Sequence, residues 1–324
     1  MHTELLSIIV PAYCDSEKLE RFIKGIIELD YPKELIQLIV IDDCSPVNLE
    51  PTFNRFRDEL KDVYSLIYFR NPENSGRSKT RNIGIQFAES RVLVFIDIDN
   101  ILEKNSLAGI ADFFHGRELT SARMNIRIDP LRLNSSQYMR YFDSRYLGAR
   151  GVGLERISTR FFASDGVIIT RDVLDIIGGF DESFYHYGCE DEELGMRIGE
   201  KCYPFYFLPD VKAEDSDLPT IGRASARMVT YAHKSFPLLK EKHPECLANS
   251  IFGAYELLLA NKSFSSRILR NALHALPIKT LKNVLLHCCE ALDNKTFKIP
   301  AIFYKSLLAL SYIEGGRSRL KDKK

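Results

Sequence analysis

Residues 92–99 spell VLVFIDID, in which five consecutive apolar residues run directly into two carboxylates two positions apart. A short continuous run of Val, Leu, Ile and Phe predicts a strand covered by other elements on both faces. Three comparable runs precede it, at 5–10, 37–41 and 65–69, and stretches with helical periodicity separate them, at about 16–29, 50–60 and 78–88. This alternation predicts an α/β fold of the Rossmann-like, doubly wound type, with a mostly parallel sheet flanked by helices.

The rest of the chain divides into a less regular middle and a helical end. We expect strands at 119–128, 161–170 and 205–208 and a helix at 190–199, whereas the polar, Arg- and Tyr-rich stretch 131–157 predicts a loop. Every segment beyond about Gly222 has helical periodicity. The sequence therefore predicts an α/β domain over residues 1–221 and a helical C-terminal extension over residues 222–324.

The composition excludes several classes of protein. The 324 residues are 45% hydrophobic and carry 44 basic and 44 acidic side chains, which argues against intrinsic disorder and against a polyelectrolyte binder. Seven cysteines without a CxxC pair favour a reducing, cytoplasmic compartment over a zinc ribbon or a disulfide framework. Because there is neither a signal peptide pattern nor an apolar run long enough to cross a bilayer, we expect a soluble or at most peripheral protein.

Charge is unevenly distributed along the chain. Residues 262–324 hold 13 Lys and Arg against 4 Asp and Glu, a net of +9, which leaves −9 on the remainder. The basic helices are either an appendage packed on the catalytic domain or a face that meets an anionic membrane surface. Nucleic acid is not expected as a partner, since no nucleic-acid-binding motif accompanies the charge.

Acidic and aromatic residues follow three of the first four strands at the point where each strand ends. They are Pro11, Ala12, Tyr13, Cys14 and Asp15, then Asp42, Asp43, Cys44 and Ser45, then Asp97, Ile98, Asp99 and Asn100. Turn and cap chemistry explains any one of these groups. Because ligands of open α/β sheets bind at this edge, the three groups together favour a ligand site. Asp97 and Asp99 suit a hard divalent cation held between protein oxygens and a diphosphate.

The segment NSGRSKTRNIG, residues 74–84, begins as a polar turn and continues into a predicted helix. It is not a Walker A loop, because Asn71 stands where such a loop needs its first glycine. Arg77, Lys79 or Arg81 then either meets a nucleotide or is a solvated cation at a helix start. For Lys79 we favour the second interpretation.

Four consecutive acids, residues 190–193, open the predicted helix 190–199. The helix macrodipole favours negative charge at that position, which explains the run without any function. Alternatively, Glu190 or Asp191 points into a cleft, where a carboxylate with a raised pKa serves as a general base. Spacing alone does not decide between these interpretations.

Together these segments resemble the motifs of the family 2 glycosyltransferases, which have the GT-A fold. The matching segments are SIIVPAY at 7–13, VIDDCS at 40–45, Asn74 with Gly76, RNIG at 81–84, VFIDID at 94–99 and GGFDE at 178–182. Glu190 and Asp191, with Leu194 and Arg197, resemble the acceptor-side ED motif of galactosyl- and N-acetylgalactosaminyltransferases. The resemblance covers about residues 5–217 and implies a nucleotide-sugar half near 1–100 and an acceptor half near 101–221.

The resemblance implies donor-side roles for matching residues. Those placed around the nucleoside of a UDP-sugar are Pro11, Ala12, Tyr13, Asp15 and Asp43, with Asp43 at the uracil. Arg81 would lie near the base or the phosphates, and Asp97 would contact the ribose or the donor sugar. Ile98 would pass beside the nucleotide, and Asp99 would ligate Mn²⁺ or Mg²⁺.

On the acceptor side, the resemblance implies that Gly179 allows a close backbone approach to the sugar and that Glu190 contacts sugar hydroxyls. Asp191 would be the base that deprotonates the acceptor hydroxyl. The implied reaction is an inverting transfer of a hexose-type sugar from a UDP-sugar to a hydroxyl of a glycan or lipid-linked acceptor. The implied setting is bacterial surface polysaccharide synthesis, in the cytoplasm or at the inner face of the plasma membrane.

Two positions depart from the family pattern. Cys14 stands where the family commonly has Asn, and residues 209–217 hold only acids where many relatives have a metal-binding His. Either Asp215 or Glu214 replaces that imidazole, or the metal is held by Asp99 and the diphosphate alone. His186 and His233 are other candidates, although a lone His is more often structural. The missing His keeps open a non-catalytic nucleotide-sugar-binding or scaffold subunit. A nucleotidyltransferase is the other alternative, although no glycine-rich, Lys-containing loop follows the first strand.

Overall fold

The structure, a computed structural model, describes residues 3–116, 120–144, 155–216, 220–249, 252–261, 263–295 and 298–322. Its strands are β1 (Leu6–Ala12), β2 (Ile36–Asp42), β3 (Ser65–Arg70), β4 (Val92–Ile96), β5 (Asn100–Leu102), β6 (Ser121–Ile128), β7 (Glu155–Arg156), β8 (Gly166–Thr170) and β9 (Phe205–Asp215). Its α-helices are α1 (Ser16–Ile27), α2 (Glu50–Arg55), α3 (Arg77–Phe87), α4 (Ser106–Phe114), α5 (Pro130–Ser135), α6 (Gln137–Ser144), α7 (Arg171–Ile177), α8 (Glu190–Glu200), α9 (Ile221–Thr230), α10 (Phe236–Lys242), α11 (Cys246–Asn249), α12 (Gly253–Ala260), α13 (Phe264–Ala275), α14 (Ile278–Leu292) and α15 (Ala301–Asp322).

The described residues form two compact units. The first contains those of 1–129, 145–185 and 190–218, and the second contains those of 130–144, 186–189 and 219–324. All nine strands belong to the first unit. The helical C-terminal region lies in the second unit, together with α5 and α6.

A single sheet organises the first unit, in the order β3-β2-β1-β4-β8-β6-β9-β5, with β7 paired to β9. The half β3-β2-β1-β4 is parallel, as predicted, because α1, α2 and α3 carry the chain back across the sheet between successive strands. The other half is mixed. There, β8 runs antiparallel to β4 and β6, while β6 and β9 are parallel to each other.

The apolar runs of β1 and β2 are continuous because both faces of the sheet are covered. Ile8 and Leu38 belong to one core cluster, with residues of α1, whereas Ile9 and Ile39 belong to a second cluster on the other face. Helix α3 packs closely on this second face. A Cβ at Gly84 would lie 2.4 Å from Cγ2 of Ile9, so only glycine permits this helix–sheet distance.

Four predicted elements differ in the structure. The strand predicted at 161–170 begins only at Gly166, because Thr159–Phe161 form a 3-10 turn. The stretch 131–157, predicted to be a loop, contains α6 and most of α5, although residues 145–154 lie outside the described residues. The last strand, predicted at 205–208, continues to Asp215. Helix α2 ends at Arg55 rather than near residue 60.

In the second unit, α9 and α14 pack against α15. Tyr304 of α15 stacks on Tyr141 of α6, with ring centroids 4.9 Å apart, and packs edge-on against Tyr138. Glu256 is buried and accepts hydrogen bonds from Arg319 at 2.9 Å and from Lys240 at 2.7 Å. No helix among the residues described above combines the length and the apolar character needed to cross a lipid bilayer.

Candidate active site

Arg81 joins two of the predicted site segments. It lies on α3 and is 1% exposed, and its Nη2 donates a 2.9 Å hydrogen bond to Oδ1 of Asp97, directly after β4. Its Nη1 lies 3.9 Å from Oε1 of Glu190, the first residue of α8, and its guanidinium carbon lies 5.4 Å from the ring centre of Phe180. The structure therefore places the predicted residues Arg81, Asp97 and Glu190 in one cluster at the carboxyl edge of the parallel strands.

Asp191 follows Glu190 on the first turn of α8 and is half-buried, with Oδ1 excluded from solvent. Burial, followed by the negative charge of Glu190, raises the pKa of Asp191 from 3.8 to about 7. Arg81 and the Ser164 hydroxyl lower the pKa by smaller amounts, and Asp165 raises it slightly. A carboxylate with this pKa exchanges its proton near neutral pH, which is what a general base requires.

Several buried polar atoms of this cluster have no hydrogen-bond partner among the described residues. They are Nε and Nη1 of Arg81, Oε2 of Glu190, Oδ1 of Asp191 and Oγ of Ser164. The Ser164 hydroxyl is close enough to lower the pKa of Asp191, but its geometry falls short of a hydrogen bond. Buried groups of this kind are costly unless something pairs with them, so the cluster suits a polar ligand with both donors and acceptors.

Ser164 and Asp165 are site residues that the sequence analysis did not identify. They precede β8, whose first residue, Gly166, pairs with Ile96 at the end of β4. Because the two strands are antiparallel, the start of β8 lies at the same sheet edge as the end of β4. Asn100 holds this segment by donating a 2.6 Å hydrogen bond to the Asp165 carbonyl. Inspecting only the residues after each strand misses a strand that begins at the ligand-binding edge.

Asp43, predicted to meet the uracil, holds a neighbouring loop in place. Its carboxylate accepts hydrogen bonds from the backbone N–H groups of Ser75 and Gly76, at 2.7 and 3.0 Å, and from Nδ2 of Asn71 at 2.9 Å. Its own N–H donates to the Ala12 carbonyl at 2.7 Å. Asp43 thus ties the ends of β1 and β2 to the turn before α3, and its contact with a base remains a prediction.

The residues after β1 differ in exposure. Ala12 is buried and Pro11 half-buried, whereas Tyr13 is 59% exposed and offers a free ring face at the sheet edge. Asp15 is exposed and caps α1, because its Oδ1 accepts a 3.0 Å hydrogen bond from the N–H of Lys18. The first strand therefore supplies an aromatic surface and a helix cap at this edge.

The carboxylates proposed for a metal lie around the turn after β4. Asp99 is half-buried and its Oδ1 is 3.1 Å from Nζ of Lys18, a contact that sequence reasoning missed. Ile98, between the two aspartates, is buried. The extended β9 pairs Asp215 with Asn100, the residue after Asp99, and the N–H of Ser216 donates to the Asp99 carbonyl at 3.0 Å.

Glu214 precedes Asp215 on β9 and is exposed. Because strand residues alternate between faces, Glu214 and Asp215 point to opposite sides of the sheet. At most one of them can therefore face a cation at Asp99. Register favours Asp215, which lies opposite Asn100, whereas Glu214 lies opposite Ile101.

Gly179 lies in a tightly packed turn between α7 and α8. A Cβ at this position would lie 2.5 Å from Oδ1 of Asn82, so the close approach seen here is to the Asn82 side chain. Asn82 also pairs with the backbone N–H and carbonyl of Phe180, both at 2.8 Å. Arg197 of α8 donates to the Gly179 carbonyl at 2.7 Å and forms a two-point ion pair with Glu193. An approach of Gly179 to a sugar remains a prediction.

Comparison with known proteins adds an independent line of evidence. A family model described as "Glycosyl transferase family 2" matches residues 7–178. GgaA of Bacillus subtilis, a minor teichoic acid biosynthesis protein, is 32% identical over 272 residues, which are 80% of this chain and 57% of GgaA. TarS of Staphylococcus aureus, a poly(ribitol-phosphate) beta-N-acetylglucosaminyltransferase, is 27% identical over 107 residues, 33% of this chain and 18% of TarS. The chain thus spans less than two thirds of either relative.

Solved structures agree with the fold. The mannosyltransferase PcManGT from Pyrobaculum calidifontis, in complex with GDP-Man and Mn²⁺, has a TM-score of 0.61 at 18% identity and covers 100% of this chain and 89% of its own. Residues 1–349 of S. aureus TarS, in complex with UDP, have a TM-score of 0.51 at 17% identity, covering 98% of this chain and 91% of that one. At such identities the likeness shows the fold alone, and it confirms the predicted GT-A class with a helical C-terminal region.

Proposed function

The chain belongs to glycosyltransferase family 2, and on this premise we propose that it transfers a sugar from a UDP-sugar to a hydroxyl of a surface-polymer acceptor. The observation that carries the proposal is the buried cluster of Arg81, Asp97, Glu190 and Asp191. It sets a carboxylate with a near-neutral pKa beside unpaired donors and acceptors, at the edge where α/β sheets bind ligands. A non-catalytic binding subunit would have no use for such a pKa, and a nucleotidyltransferase does not fit the family.

Asp191 is the general base of the proposed reaction. In its ionised form it accepts the proton of the acceptor hydroxyl, whose oxygen forms a bond to the anomeric carbon of the donor sugar. The bond from that carbon to the diphosphate oxygen breaks in the same step, and UDP leaves with the electron pair. Attack opposite the leaving group inverts the configuration at the anomeric carbon.

The remaining cluster residues hold and orient the substrates. Arg81 lowers the pKa of Asp191, and its hydrogen bond holds the Asp97 carboxylate in place. Glu190 has a free oxygen, Oε2, which can accept a hydrogen bond from a sugar hydroxyl. On the donor side, the exposed ring of Tyr13 and the loop clamped by Asp43 form the proposed nucleoside pocket. We also assign Pro11, Ala12 and Asp15 to this pocket, as the family resemblance implies.

A divalent cation fits the carboxylates after β4 by ligand type, since Mn²⁺ and Mg²⁺ prefer oxygen ligands. Asp99 would hold the cation with help from Asp215, and Lys18, whose Nζ lies 3.1 Å from Oδ1 of Asp99, would then give up this ion pair. No cluster of three His, Cys, Asp or Glu ligand atoms in the described part of the chain includes Asp99, so the donor diphosphate and water would complete the coordination. When bound, the cation offsets the negative charge that develops on the departing diphosphate.

Substrate class and setting are inferred from the relatives. GgaA is named for teichoic acid biosynthesis and TarS for poly(ribitol-phosphate), and a solved structure of TarS contains UDP. We therefore propose a hexose-type UDP-sugar as the donor and a glycan or lipid-linked polymer as the acceptor, in bacterial surface polysaccharide synthesis. The ED pair at Glu190 and Asp191 favours galactosyl- or N-acetylgalactosaminyl-type donors. The proposed location is the cytoplasm, with the basic C-terminal helices at the inner face of the plasma membrane.

A donor-hydrolysis screen tests this function. The protein would be incubated with UDP-Gal, UDP-GalNAc, UDP-Glc, UDP-GlcNAc and UDP-GlcA, with Mn²⁺ or EDTA, and released UDP would be measured. We expect release from one donor, loss of release in Asp191→Asn with UDP binding retained, and normal release in Asp175→Asn, an exposed acid on α7. If no donor is turned over and calorimetry shows no UDP binding, the assigned pocket is wrong.

A further inference from the structure

Helix α13 leaves much of its apolar surface in solvent. Phe264 is 68% exposed and Ile268 is 54% exposed, and Leu269 and Leu276 are about half exposed as well. Single exposed apolar side chains are ordinary, but four within thirteen consecutive residues form a patch of the kind that marks an interaction surface. Leu281 and Val284, one turn apart on α14, are also exposed.

The apolar residues of α13 lie on one side of the helix. At 100° per residue, Phe264 and Ile268 are about 40° apart and Leu269 is about 100° further round, so the three span an arc of about 140°. Leu276 follows the last residue of the helix, with extended backbone. Arg267 lies at the border of this side, with its guanidinium carbon 5.3 Å from the ring centre of Phe264. A cation at the edge of an apolar face is the arrangement by which long basic side chains reach headgroups while the face beside them is buried.

The charge of the C-terminal region favours an anionic lipid surface as the partner of this helix. Arg267, Lys279, Lys295, Lys298 and Lys305 are all exposed. Two of the four acids after residue 261 are engaged within the unit, since Glu314 pairs with Lys282 at 2.7 Å and Asp322 pairs with the His233 ring at 2.7 Å. The cores of protein–protein interfaces are depleted of lysine. Lysine beside apolar side chains instead stabilises binding to an anionic lipid surface.

We propose that α13, with the start of α14, is an interfacial anchor for anionic lipid bilayers. Phe264 and Ile268 insert between the headgroups, and Arg267 and Lys279 bind the lipid phosphates. A helix of 12 residues is about 18 Å long and lies in the interface, because the apolar core of a bilayer is about 30 Å thick. The inference rests on the proposed function for its purpose, since a lipid-linked acceptor would be met at this surface.

Vesicle flotation of the full chain tests the anchor. The probes are phosphatidylcholine vesicles with and without phosphatidylglycerol, at low and high salt. We expect binding to the anionic vesicles that weakens in salt. Phe264→Ser with Ile268→Ser should weaken binding about tenfold or more, and removing each cation with Arg267→Gln or Lys279→Gln should weaken it about fivefold at low salt.

Matched controls separate the anchor from general changes of the surface. Ile176→Ser alters an isoleucine of α7 that is 63% exposed, and Lys201→Gln removes an exposed lysine at the end of α8; neither should change flotation. Because the anchor residues are already in solvent, the variants should fold, which circular dichroism would verify.

Two outcomes overturn the anchor. One is the absence of flotation with anionic vesicles, or flotation that survives Phe264→Ser with Ile268→Ser. The other is a concentration-dependent dimer that this double variant abolishes, which would mean that a second copy covers the face. Donor hydrolysis without vesicles should be unchanged in the double variant. Flotation with neither donor turnover nor UDP binding would therefore refute the proposed function and leave the anchor standing. Turnover without flotation would do the reverse.

Discussion

The raised pKa of Asp191 leads to a quantitative prediction for the pH dependence of catalysis. Burial and the neighbouring charge of Glu190 raise this pKa to about 7. If Asp191 is the base, kcat/KM follows its ionised fraction in the free enzyme. That fraction is roughly a tenth at about pH 6 and roughly nine tenths at about pH 8, so kcat/KM should rise about tenfold between them. A carboxylate with its ordinary pKa would be ionised throughout this range.

The assay is the initial rate of UDP release in the presence of an acceptor, measured as kcat/KM from about pH 5 to about pH 9. Calorimetric UDP binding over the same range shows whether donor affinity changes with pH. Glu190→Gln is a control for the direction of the effect. Removing the negative charge of Glu190 should lower the pKa of Asp191, so the rise in kcat/KM should move to lower pH whatever happens to the maximal rate. A flat profile between pH 6 and pH 8, or an unchanged rise in the residual activity of Asp191→Asn, would refute the assignment.

The remaining predictions concern stability and the metal. Asp191 keeps its proton up to about pH 7 in the folded state but loses it near pH 3.8 when unfolded. The free energy of unfolding therefore falls as the pH rises through this window. Asp191→Asn removes the ionisation and should raise Tm more at pH 8 than at pH 4. Asp43→Ala removes the acceptor of three hydrogen bonds and should cost about 3 kcal/mol in urea unfolding, against about 1 kcal/mol for the helix cap lost in Asp15→Ala. Glu256→Ala leaves buried Arg319 uncompensated and should cost about 3–5 kcal/mol in the same measurement. EDTA should abolish UDP release, and added Mn²⁺ should restore it. Asp99→Asn should raise the Mn²⁺ concentration that is required. UDP release that does not change with EDTA would contradict the metal proposal.

The parallel half of the sheet follows from local sequence, because strands covered on both faces need continuous apolar runs and their crossovers need amphipathic helices. This logic located β1 to β4 within one or two residues of their ends. It failed at 131–157, where the apolar side of α6 faces a partner far away along the chain. Tyr138 is buried against Tyr304 of α15, 166 positions further along the chain. A stretch with so distant a partner resembles a polar loop when its local pattern is considered alone.

In the candidate site, too, local sequence predicts some features and tertiary structure decides the others. Sequence alone determined that Asp43, Asp97, Asp99 and the pair at 190–191 stand at element ends, because strand ends and helix starts are marked by local composition. Only the tertiary structure decided what each carboxylate does: Asp43 clamps a loop, Asp97 pairs with Arg81, and Asp191 is shielded from solvent beside Glu190. The physical reason is that the pKa and hydrogen bonding of a carboxylate depend on burial and on charges within a few ångströms, and those neighbours come from segments far apart in the chain.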